Sequence, residues 1–335
     1  MSGQGEGYQT LHRTLTGYAN NPNFGGILLV GLGCEVLQVS SLVNGQEPSA
    51  VFRYMTIQSE GGTRKTIEKG LQELHLLAQA ANKATREPAP VSEIMVGMQC
   101  GGSDGYSGIT ANPALGYASD LLVRHGGTTI LSETSEVYGA EHLLTRRAVT
   151  KDVGQKLIER ILWWEDYCAR NGGEMDNNPS PGNKNGGLTT ILEKSLGAVA
   201  KSGSAPLTDV YLFGESIDKK GFVFMDSPGF DPCSVTGQVA SGANMIIFTT
   251  GRGSVSGYKP TPCIKLATNT EMYRRLQEDM DLNCGDIVTS GVSIEEKGQE
   301  LFELIIRIAS GEETKSEALG FGGAEFVPWQ IGAVM

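Results

Sequence analysis

Residues 98–113, MQCGGSDGYSGITANP, join an apolar segment to a helical pattern through a glycine-rich turn, and this stretch decides the predicted fold. The apolar segment 91–98 indicates a short strand, and the apolar spacing over 115–123 indicates a helix. Four glycines let the turn adopt positive φ and let a ligand approach closely: Gly101, Gly102, Gly105 and Gly108. The polar side chains of the turn are Cys100, Ser103, Asp104, Ser107, Thr110 and Asn112. We therefore expect it to hold a polyanionic or polyhydroxyl ligand, although Thr110 or Asn112 as N-cap and Pro113 at the first helical position explain the same residues.

The same order of strand, turn and helix occurs elsewhere in the chain. An apolar segment at 26–30 ends in Gly31-Leu32-Gly33-Cys34-Glu35, and another at 127–132 ends in the acidic turn 133–136. Three such units predict an open parallel sheet, in which ligands bind beyond the carboxyl ends of the strands. The turns at Cys34, Cys100 and Glu133 are therefore expected to converge.

The pattern continues after residue 206, with apolar segments at 221–225, 245–249 and 264–267. We predict an α/β protein with two open, mostly parallel sheet domains and helices on both faces. The predicted units are a central domain over residues 1–206 and a C-terminal domain over residues 207–335.

Composition excludes several classes of protein. The 335 residues carry 27 basic and 38 acidic side chains, a formal charge of -11, which argues against a nucleic-acid partner. No apolar run reaches the roughly 18 residues of a membrane span, and residues 1–20 lack a signal-peptide core. The six cysteines show no CxxC pair, so free thiols in a reducing compartment are expected. These observations predict a cytoplasmic protein without a membrane partner.

Acidic residues and thiols supply the candidate chemistry. Glu133, Glu136 and Glu141 follow the strand at 127–132 and suit a divalent metal or general acid–base catalysis, while helix capping explains them equally. Glu136 and Glu141 are the preferred catalytic pair. Cys34 and Cys100, with Glu133, are tentative metal ligands, and their thiolates would favour ferrous iron over magnesium, although a buried cysteine is often only a small apolar residue.

Arg252 lies between two glycines in the turn TTGRGS, where its guanidinium could bind a carboxylate or be solvated. The polar, Asn-rich segment 171–187 predicts an ordered lid or substrate loop. The chain has no GxSxG and no GxxxxGK[ST], and Gly31-Leu32-Gly33 lacks the third glycine of a dinucleotide fingerprint. Nucleotide and serine-hydrolase chemistry are therefore disfavoured.

Five strings together resemble the altronate and galactarate dehydratase family over nearly the whole chain. They are VGLGCE at 30–35, CGGSDGYSGITANPALG at 100–116, GTTILSETSEVYGAEHLL at 127–144, NPSPGNKNGGLTTILEKSLGA at 178–198 and FTTGRGS at 248–254. The resemblance implies removal of water from a hexonate or hexarate to give a 2-keto-3-deoxy acid, with iron or manganese as the metal. A base would take the proton α to the carboxylate, the metal and amides would stabilise the enediolate, and an acid would help the β-hydroxide leave.

The resemblance also assigns residues to roles. The implied catalytic residues are Asp104, Ser107, Glu136 and Glu141. The implied substrate-binding residues are Gly101, Gly102, Ser103, Asn112, Asn178, Ser180, Asn183, Thr249, Thr250 and Arg252.

Members of that family carry a small β-rich N-terminal domain ahead of the part that this chain resembles. We therefore expect a fragment, or a large subunit whose small N-terminal domain is a separate chain, and a homo-oligomer. The alternatives are the large subunit of a sulfolactate sulfo-lyase-type enzyme, in which sulfite leaves instead of water, and an inactive binding subunit that needs a partner.

Overall fold

A computed structural model describes residues 5–43 and 51–332, and within these ranges the chain forms nine strands. Most strands are short apolar runs rich in β-branched and aromatic residues, as expected for strands buried on both faces. They are β1 Ile27–Gly31, β2 Phe52–Thr56, β3 Met95–Cys100, β4 Thr128–Leu131, β5 Leu207–Tyr211, β6 Gly221–Met225, β7 Met245–Thr250, β8 Cys263–Ala267 and β9 Leu282–Asn283.

The helices of the described ranges start mostly after turns that follow strands. They are α1 Glu6–Ala19, α2 Val39–Val43, α3 Ile57–Glu60, α4 Thr63–Ala81, α5 Ala111–Arg124, α6 His142–Thr145, α7 Lys151–Arg170, α8 Pro181–Asn185, α9 Ile191–Ala200, α10 Asp231–Ala240, α11 Thr270–Arg275, α12 Asp286–Thr289, α13 Ile294–Ala309 and α14 Lys315–Ala318. Two 3₁₀ turns, Val91–Glu93 and Thr134–Glu136, precede β3 and follow β4. None of these helices is long and apolar enough to cross a membrane.

Seven strands form one parallel sheet in the order β5-β6-β4-β3-β7-β8-β9. The chain runs from β3 to β4, crosses to β5 at one edge, turns back to β6 between β5 and β4, and then places β7 on the other side of β3. The polypeptide thus leaves β3 and β7 in opposite directions, which opens a crevice at their carboxyl ends. The predicted α/β class with an open parallel sheet is confirmed.

The structure does not divide into two sheet domains at residue 206, where the sequence analysis placed the boundary. Strands from both sides of that position belong to the seven-stranded sheet, because β5 and β6 extend it beyond β4 while β7, β8 and β9 extend it beyond β3. The second sheet contains only the parallel pair β1 and β2, on which α4 packs. The change of sheet therefore falls between β2 and β3.

Helices cover both faces of the large sheet. Val96 and Met98 of β3 face the core built with α5, α7 and α13, whereas Ile246 and Phe248 of β7 belong to a second core with α10. The alternation of side chains along each strand produces these two apolar layers. Helix α9 lies against α5 on the first face, next to the carboxyl ends of β3 and β4.

Candidate active site

The carboxyl ends of β3 and β4 bring one thiol and two carboxyl groups together. Cys100 Sγ, at the last position of β3, lies 3.1 Å from Glu136 Oε2 and 3.6 Å from Glu133 Oε2. The Cys100 backbone amide donates to Glu133 Oε2 at 3.3 Å. Within the described residues, these three side chains form the group of possible metal ligands whose donor atoms all lie within 4.8 Å of one another. We call Cys100, Glu133 and Glu136 the acidic cluster.

Glu133 adopts a backbone conformation that few residues other than glycine adopt, with φ of 67°. The loop after β6 holds it there, because Ser227 Oγ accepts from the Glu133 amide at 2.9 Å and Ser227 O accepts from the Thr134 amide at 2.9 Å. The side chain is 0% exposed, and its Oε1 has no hydrogen-bond partner among the described residues. Burial, followed by the charge of Glu136, raises the pKa of Glu133 to about 8. A strained backbone and an unpaired buried oxygen are typical of a functional position.

Two buried lysines from α9 neutralise this cluster. Lys201 follows the last residue of α9 and donates to Cys100 Sγ at 2.9 Å and to Glu133 Oε2 at 3.1 Å. Lys194 donates to Glu136 Oε1. The two positions are about two helical turns apart and therefore lie on one face of the helix. Burial lowers the pKa of each ammonium group, but the neighbouring carboxylates and the thiol outweigh it, so both pKa values are raised.

Cys100 is held as a thiol by its surroundings. Burial raises the pKa of its thiol well above the usual value, and the charges of Glu133 and Glu136 raise it further, more than Lys201 and Lys194 lower it. A bound cation would reverse this, because metals bind the thiolate.

Asp104 and Ser107, predicted to be catalytic, lie in the turn after β3 and bind each other. Asp104 Oδ1 accepts from Ser107 Oγ at 3.0 Å and from Thr268 Oγ1 at 2.8 Å, and its Oδ2 accepts from Asn269 Nδ2 at 3.0 Å. These bonds tie the glycine-rich turn to the turn between β8 and α11. Their catalytic role stays a prediction.

Two successive backbone amides of the glycine-rich turn have no acceptor among the described residues. The Gly101 amide donates to Thr249 O at 3.1 Å, whereas the amides of Gly102 and Ser103 have no hydrogen-bond partner among the described residues. Gly102 has φ of 59°, in the left-handed region. Successive amides next to a residue in this region form the concave anion sites found in many proteins. Two successive amides of this kind suit a developing oxyanion.

The predicted substrate loop is ordered and lies on this turn. Ser180 and Asn183 form a capping box at α8, Asn183 Nδ2 donates to Ser103 O at 2.9 Å, and the Gly105 amide donates to Gly186 O at 2.9 Å. Asn178 is partly exposed and Ser180 is exposed. The loop therefore contacts the glycine-rich turn, as its predicted role requires.

A small cavity of about 10 Å³ connects the turn with the acidic cluster. This is close to the volume that one water molecule needs. The lining includes Cys100, Ser103, Ser107, Asn112 and Lys194. Asn112 is fixed at its wall, because its Oδ1 accepts from Thr249 Oγ1 at 2.7 Å and its Nδ2 donates to Gly197 O at 2.8 Å.

Thr250 and Arg252 lie beside Gly102. Thr250 Oγ1 accepts from the Gly253 amide at 3.0 Å, and a Cβ added at Gly102 would lie 3.1 Å from Arg252 Cβ. The Arg252 side chain is exposed, and within the described residues no carboxylate or carbonyl pairs with it. Its guanidinium is available to an incoming carboxylate.

Cys34 and Glu141 are not members of the acidic cluster. Cys34 follows β1 of the two-stranded sheet, is exposed, and accepts from Gln58 Nε2 at 3.5 Å. Within the described residues, Cys34 is not one of the donor groups that lie together with Cys100, and its role as a metal ligand stays a prediction. Glu141 precedes α6, where its carbonyl accepts from the Thr145 amide at 2.9 Å, and its buried Oε2 has no partner among the described residues.

Sequence reasoning missed Lys194, Lys201 and Asp231. The two lysines stand on the buried face of an apolar helix, in ILEKSLGAVAK, and a lysine at such a position indicates a buried acidic partner. Asp231 begins α10 after β6 and is described below.

Comparison with known proteins identifies the family of the chain. Residues 91–334 match the family model described as D-galactarate/Altronate dehydratase, C-terminal, and residues 1–82 match the one described as D-galactarate dehydratase/Altronate hydrolase, second domain. The chain belongs to the galactarate and altronate dehydratase family. This confirms the family resemblance of the five sequence strings.

Three relatives of the family show the range of similarity. The chain is 44% identical to galactarate dehydratase (L-threo-forming) of Escherichia coli strain K12 over 90% of its own length and 59% of the relative. It is 37% identical to altronate dehydratase of Bacillus subtilis strain 168 over 95% of its length and 63% of the relative. It is 33% identical to (2R)-sulfolactate sulfo-lyase subunit beta of Chromohalobacter salexigens, over 92% of its length and 79% of that subunit. The chain thus spans about 60% of the length of the two dehydratases.

Proposed function

We propose that this chain carries the active site of a metal-dependent sugar-acid dehydratase, a hydro-lyase. Its substrate would be an altronate-like hexonate or a galactarate-like hexarate, and its product a 2-keto-3-deoxy acid. The observation that carries the proposal is the acidic cluster with its two lysines, at the carboxyl end of the parallel sheet and beside the free amides of Gly102 and Ser103. The names of the dehydratase relatives support the substrate class.

The donor set fits a divalent transition metal. Cys100, Glu133 and Glu136 offer one thiolate and two carboxylates, and the unpaired Glu133 Oε1 leaves a buried oxygen for a cation. A mixed sulfur and oxygen set suits Fe²⁺ or Mn²⁺ better than Mg²⁺. When bound, the metal would supply Lewis acidity towards the substrate's carboxylate and hydroxyl oxygens.

The side chains of the protein would bind the acid and move its protons. Arg252 and the amides of Gly102 and Ser103 would take the carboxylate, while Asn112 and Thr249 would position hydroxyl groups. Glu136, held by Lys194, would accept the proton α to the carboxylate. The ammonium groups of Lys194 and Lys201 would stabilise negative charge that develops beside the cluster. Asp104, Ser107, Glu141, Asn178, Ser180, Asn183 and Thr250 remain proposed participants.

A sulfo-lyase is the second candidate, because the chain is 33% identical to a (2R)-sulfolactate sulfo-lyase subunit beta over 92% of its own length. The chemistry would be the same elimination with sulfite as the leaving group. We also propose a homo-oligomer in the cytoplasm that works with a further small domain or subunit. The description of residues 1–82 as a second domain and the name of the beta subunit support that arrangement.

The test combines metal content after anaerobic purification with turnover. The assays measure 2-keto-3-deoxy acid from altronate and galactarate, and sulfite from sulfolactate. Bound iron or manganese with keto acid formation supports the dehydratase, and sulfite release supports the sulfo-lyase. A chain with neither metal nor turnover, alone or with the small domain or subunit added, would be a binding subunit.

The Glu136→Gln variant tests the proposed base. We expect turnover to fall by at least about 100-fold, because general acid–base groups contribute about 10² to 10⁴ in rate. Circular dichroism should show an intact fold. Glu165→Gln, an exposed glutamate that accepts from Tyr138 Oη at 2.9 Å, is the matched control and should keep full turnover. Retained kcat in Glu136→Gln removes Glu136 from the mechanism.

A further inference from the structure

The loop after β6, residues 226–231 with sequence DSPGFD, closes one side of the acidic cluster. Ser227 binds the backbone of Glu133 and Thr134, as described above. A Cβ added at Gly229 would lie 3.3 Å from Glu136 Cγ and 2.7 Å from Ser135 Oγ, so the loop lies directly against Glu136. A third strand end thus joins those of β3 and β4 at the site.

Asp231 ends this loop and begins α10, with its carboxyl group over the glycine-rich turn. A Cβ added at Gly101 would lie 2.1 Å from Asp231 Oδ2, so the carboxyl occupies the space that any side chain at Gly101 would need. Gly101 directly follows Cys100, which places the Asp231 carboxyl beside the acidic cluster.

Asp231 differs from the three members of the cluster in its access to ligands. Cys100, Glu133 and Glu136 are buried, and each makes contacts with another member of the cluster or with a lysine, although Glu133 Oε1 has no partner among the described residues. Asp231 is only partly buried, and no side chain of the described residues hydrogen-bonds or ion-pairs with its carboxyl. Within the described residues, the Asp231 carboxyl is therefore a partly exposed acidic group beside the cluster that has no side-chain partner.

The surroundings of Asp231 favour its protonated form. Burial, followed by the charge of Glu136, raises the pKa of Asp231 to about 7, although Lys194 and Lys201 act in the opposite direction. A carboxyl with a pKa near neutrality can both hold and release a proton at working pH, as a general acid must.

We propose that Asp231 is the general acid of the elimination and donates its proton to the β-hydroxyl oxygen of the sugar acid. The inference rests on the proposed dehydratase function. As the base takes the α-proton, the electron pair of the C2–H bond forms the C2–C3 double bond. The C3–O bond breaks with its electron pair on oxygen, and the proton from Asp231 converts the leaving hydroxide to water. The enol then tautomerises to the 2-keto-3-deoxy acid, and Asp231 regains a proton from solvent.

Asp104 and Glu141 are less suited to this step. Both oxygens of Asp104 already accept hydrogen bonds in its turn. Glu141 Oε2 is buried without a partner, and no contact in the described residues links it to the acidic cluster.

The Asp231→Asn variant, assayed on two substrates, tests the assignment. One substrate is the sugar acid itself, and the other is its 3-deoxy-3-fluoro analogue, whose fluoride leaves without a general acid. We expect kcat on the hydroxy acid to fall by at least about 100-fold while fluoride release stays within about threefold of wild type. Asp231→Glu, which keeps a carboxyl group, should recover part of the turnover on the hydroxy acid.

Asp152→Asn is the matched control, because Asp152 also lies in the first turn of a helix, α7, and is exposed. It removes the same favourable charge from a helix N-terminus and should behave as wild type on both substrates. Equal thermal unfolding midpoints of the variants exclude loss of fold.

The possible results separate this inference from the function on which it rests. An active wild type whose Asp231→Asn variant turns over the hydroxy acid like Asp152→Asn overturns the role of Asp231 alone. Equal losses on the hydroxy and fluoro substrates also overturn it, because they indicate a positioning role. A wild type that eliminates neither water nor fluoride overturns the dehydratase and the general acid together.

Discussion

Lys201 Nζ lies 2.9 Å from Cys100 Sγ, although 101 positions separate the two residues in the chain. Lys201 follows helix α9 and Cys100 ends strand β3, so the contact joins the helical layer to the carboxyl edge of the sheet. The same ammonium also binds Glu133. Because Lys201 is 0% exposed, its ammonium depends on these two acceptors in place of water.

Replacement of Lys201 by methionine should destabilise the protein strongly. Methionine keeps most of the side-chain volume but removes the donor that Cys100 Sγ and Glu133 Oε2 accept from, and loss of one partner of a buried pair costs about 3–5 kcal/mol. Urea unfolding followed by circular dichroism would measure this loss. Lys219→Met is the control, because the Lys219 side chain is 51% exposed and its partner Asp209 still pairs with Lys156, so the loss should be small. Equal stabilities of the two variants would contradict the importance assigned to the buried pair.

Metal binding should depend on Cys100 and not on Cys34. The Cys100→Ala variant removes the one thiol of the acidic cluster, whereas Cys34 is exposed on the other sheet. Even partners outside the first ligand layer change metal affinity by about 10- to 100-fold, so loss of a ligand should weaken it by at least that much. Metal content of anaerobically purified Cys100→Ala and Cys34→Ala, compared with wild type, measures the effect. Full metal content in Cys100→Ala would exclude the proposed ligand set.

The sheet could be predicted from local sequence, but its strand order could not. Apolar runs followed by glycine or acidic turns predict β3, β4, β6 and β7 without knowledge of which strands are hydrogen-bonded neighbours. Which strands become neighbours depends on packing between distant parts of the chain, such as β7 returning to the edge of β3. The expected boundary near residue 206 failed for that reason.

Part of the site followed from the same reasoning. Cys100 and Glu133 follow neighbouring parallel strands, and such ends meet at one edge of a sheet. Cys34 was expected beside Cys100 because the end of β1 resembles the end of β3 in sequence. In the described residues, however, β1 pairs only with β2. Lys194, Lys201 and Asp231 reach the site from helices, and the side on which a helix packs is not a property of its own residues alone.

The space at Gly101 should be essential for turnover. In Gly101→Ala the new Cβ would lie 2.1 Å from Asp231 Oδ2 and 2.6 Å from Phe248 Cζ, so the Asp231 carboxyl must move. A displacement of about 1 Å at a reacting group costs about 100-fold in rate, and we expect a loss of that order in kcat. Gly105→Ala is the control in the same turn, because its Cβ would meet nothing closer than 3.6 Å. Similar kcat values for both variants would show that the Asp231 position tolerates change.

Asp226 should make the stability of the protein depend on pH. Its carboxyl is 2% exposed and accepts from Thr134 Oγ1 at 2.6 Å and from Trp164 Nε1 at 2.8 Å. Burial raises the pKa of Asp226, and the hydrogen bonds from Thr134 and Trp164 together with the charge of Arg160, 3.6 Å from Oδ2, offset only part of this. The folded protein therefore binds a proton here that the unfolded chain, with a pKa of about 3.9, has already lost. The resulting stabilisation is complete below that value and is lost as the pH rises through the higher pKa of the folded state.

Asp226→Asn removes this titration while keeping the shape and the accepting oxygen of the side chain. The stability of wild type relative to Asp226→Asn should therefore decrease as the pH rises from about 4 towards neutrality, since only the wild type must bury a charge there. Urea unfolding of both proteins across this range measures the difference. Asp166→Asn, whose side chain on α7 is 65% exposed, controls for the loss of one surface charge. A difference between wild type and Asp226→Asn that is constant with pH, or that grows in favour of wild type, would contradict the raised pKa of Asp226.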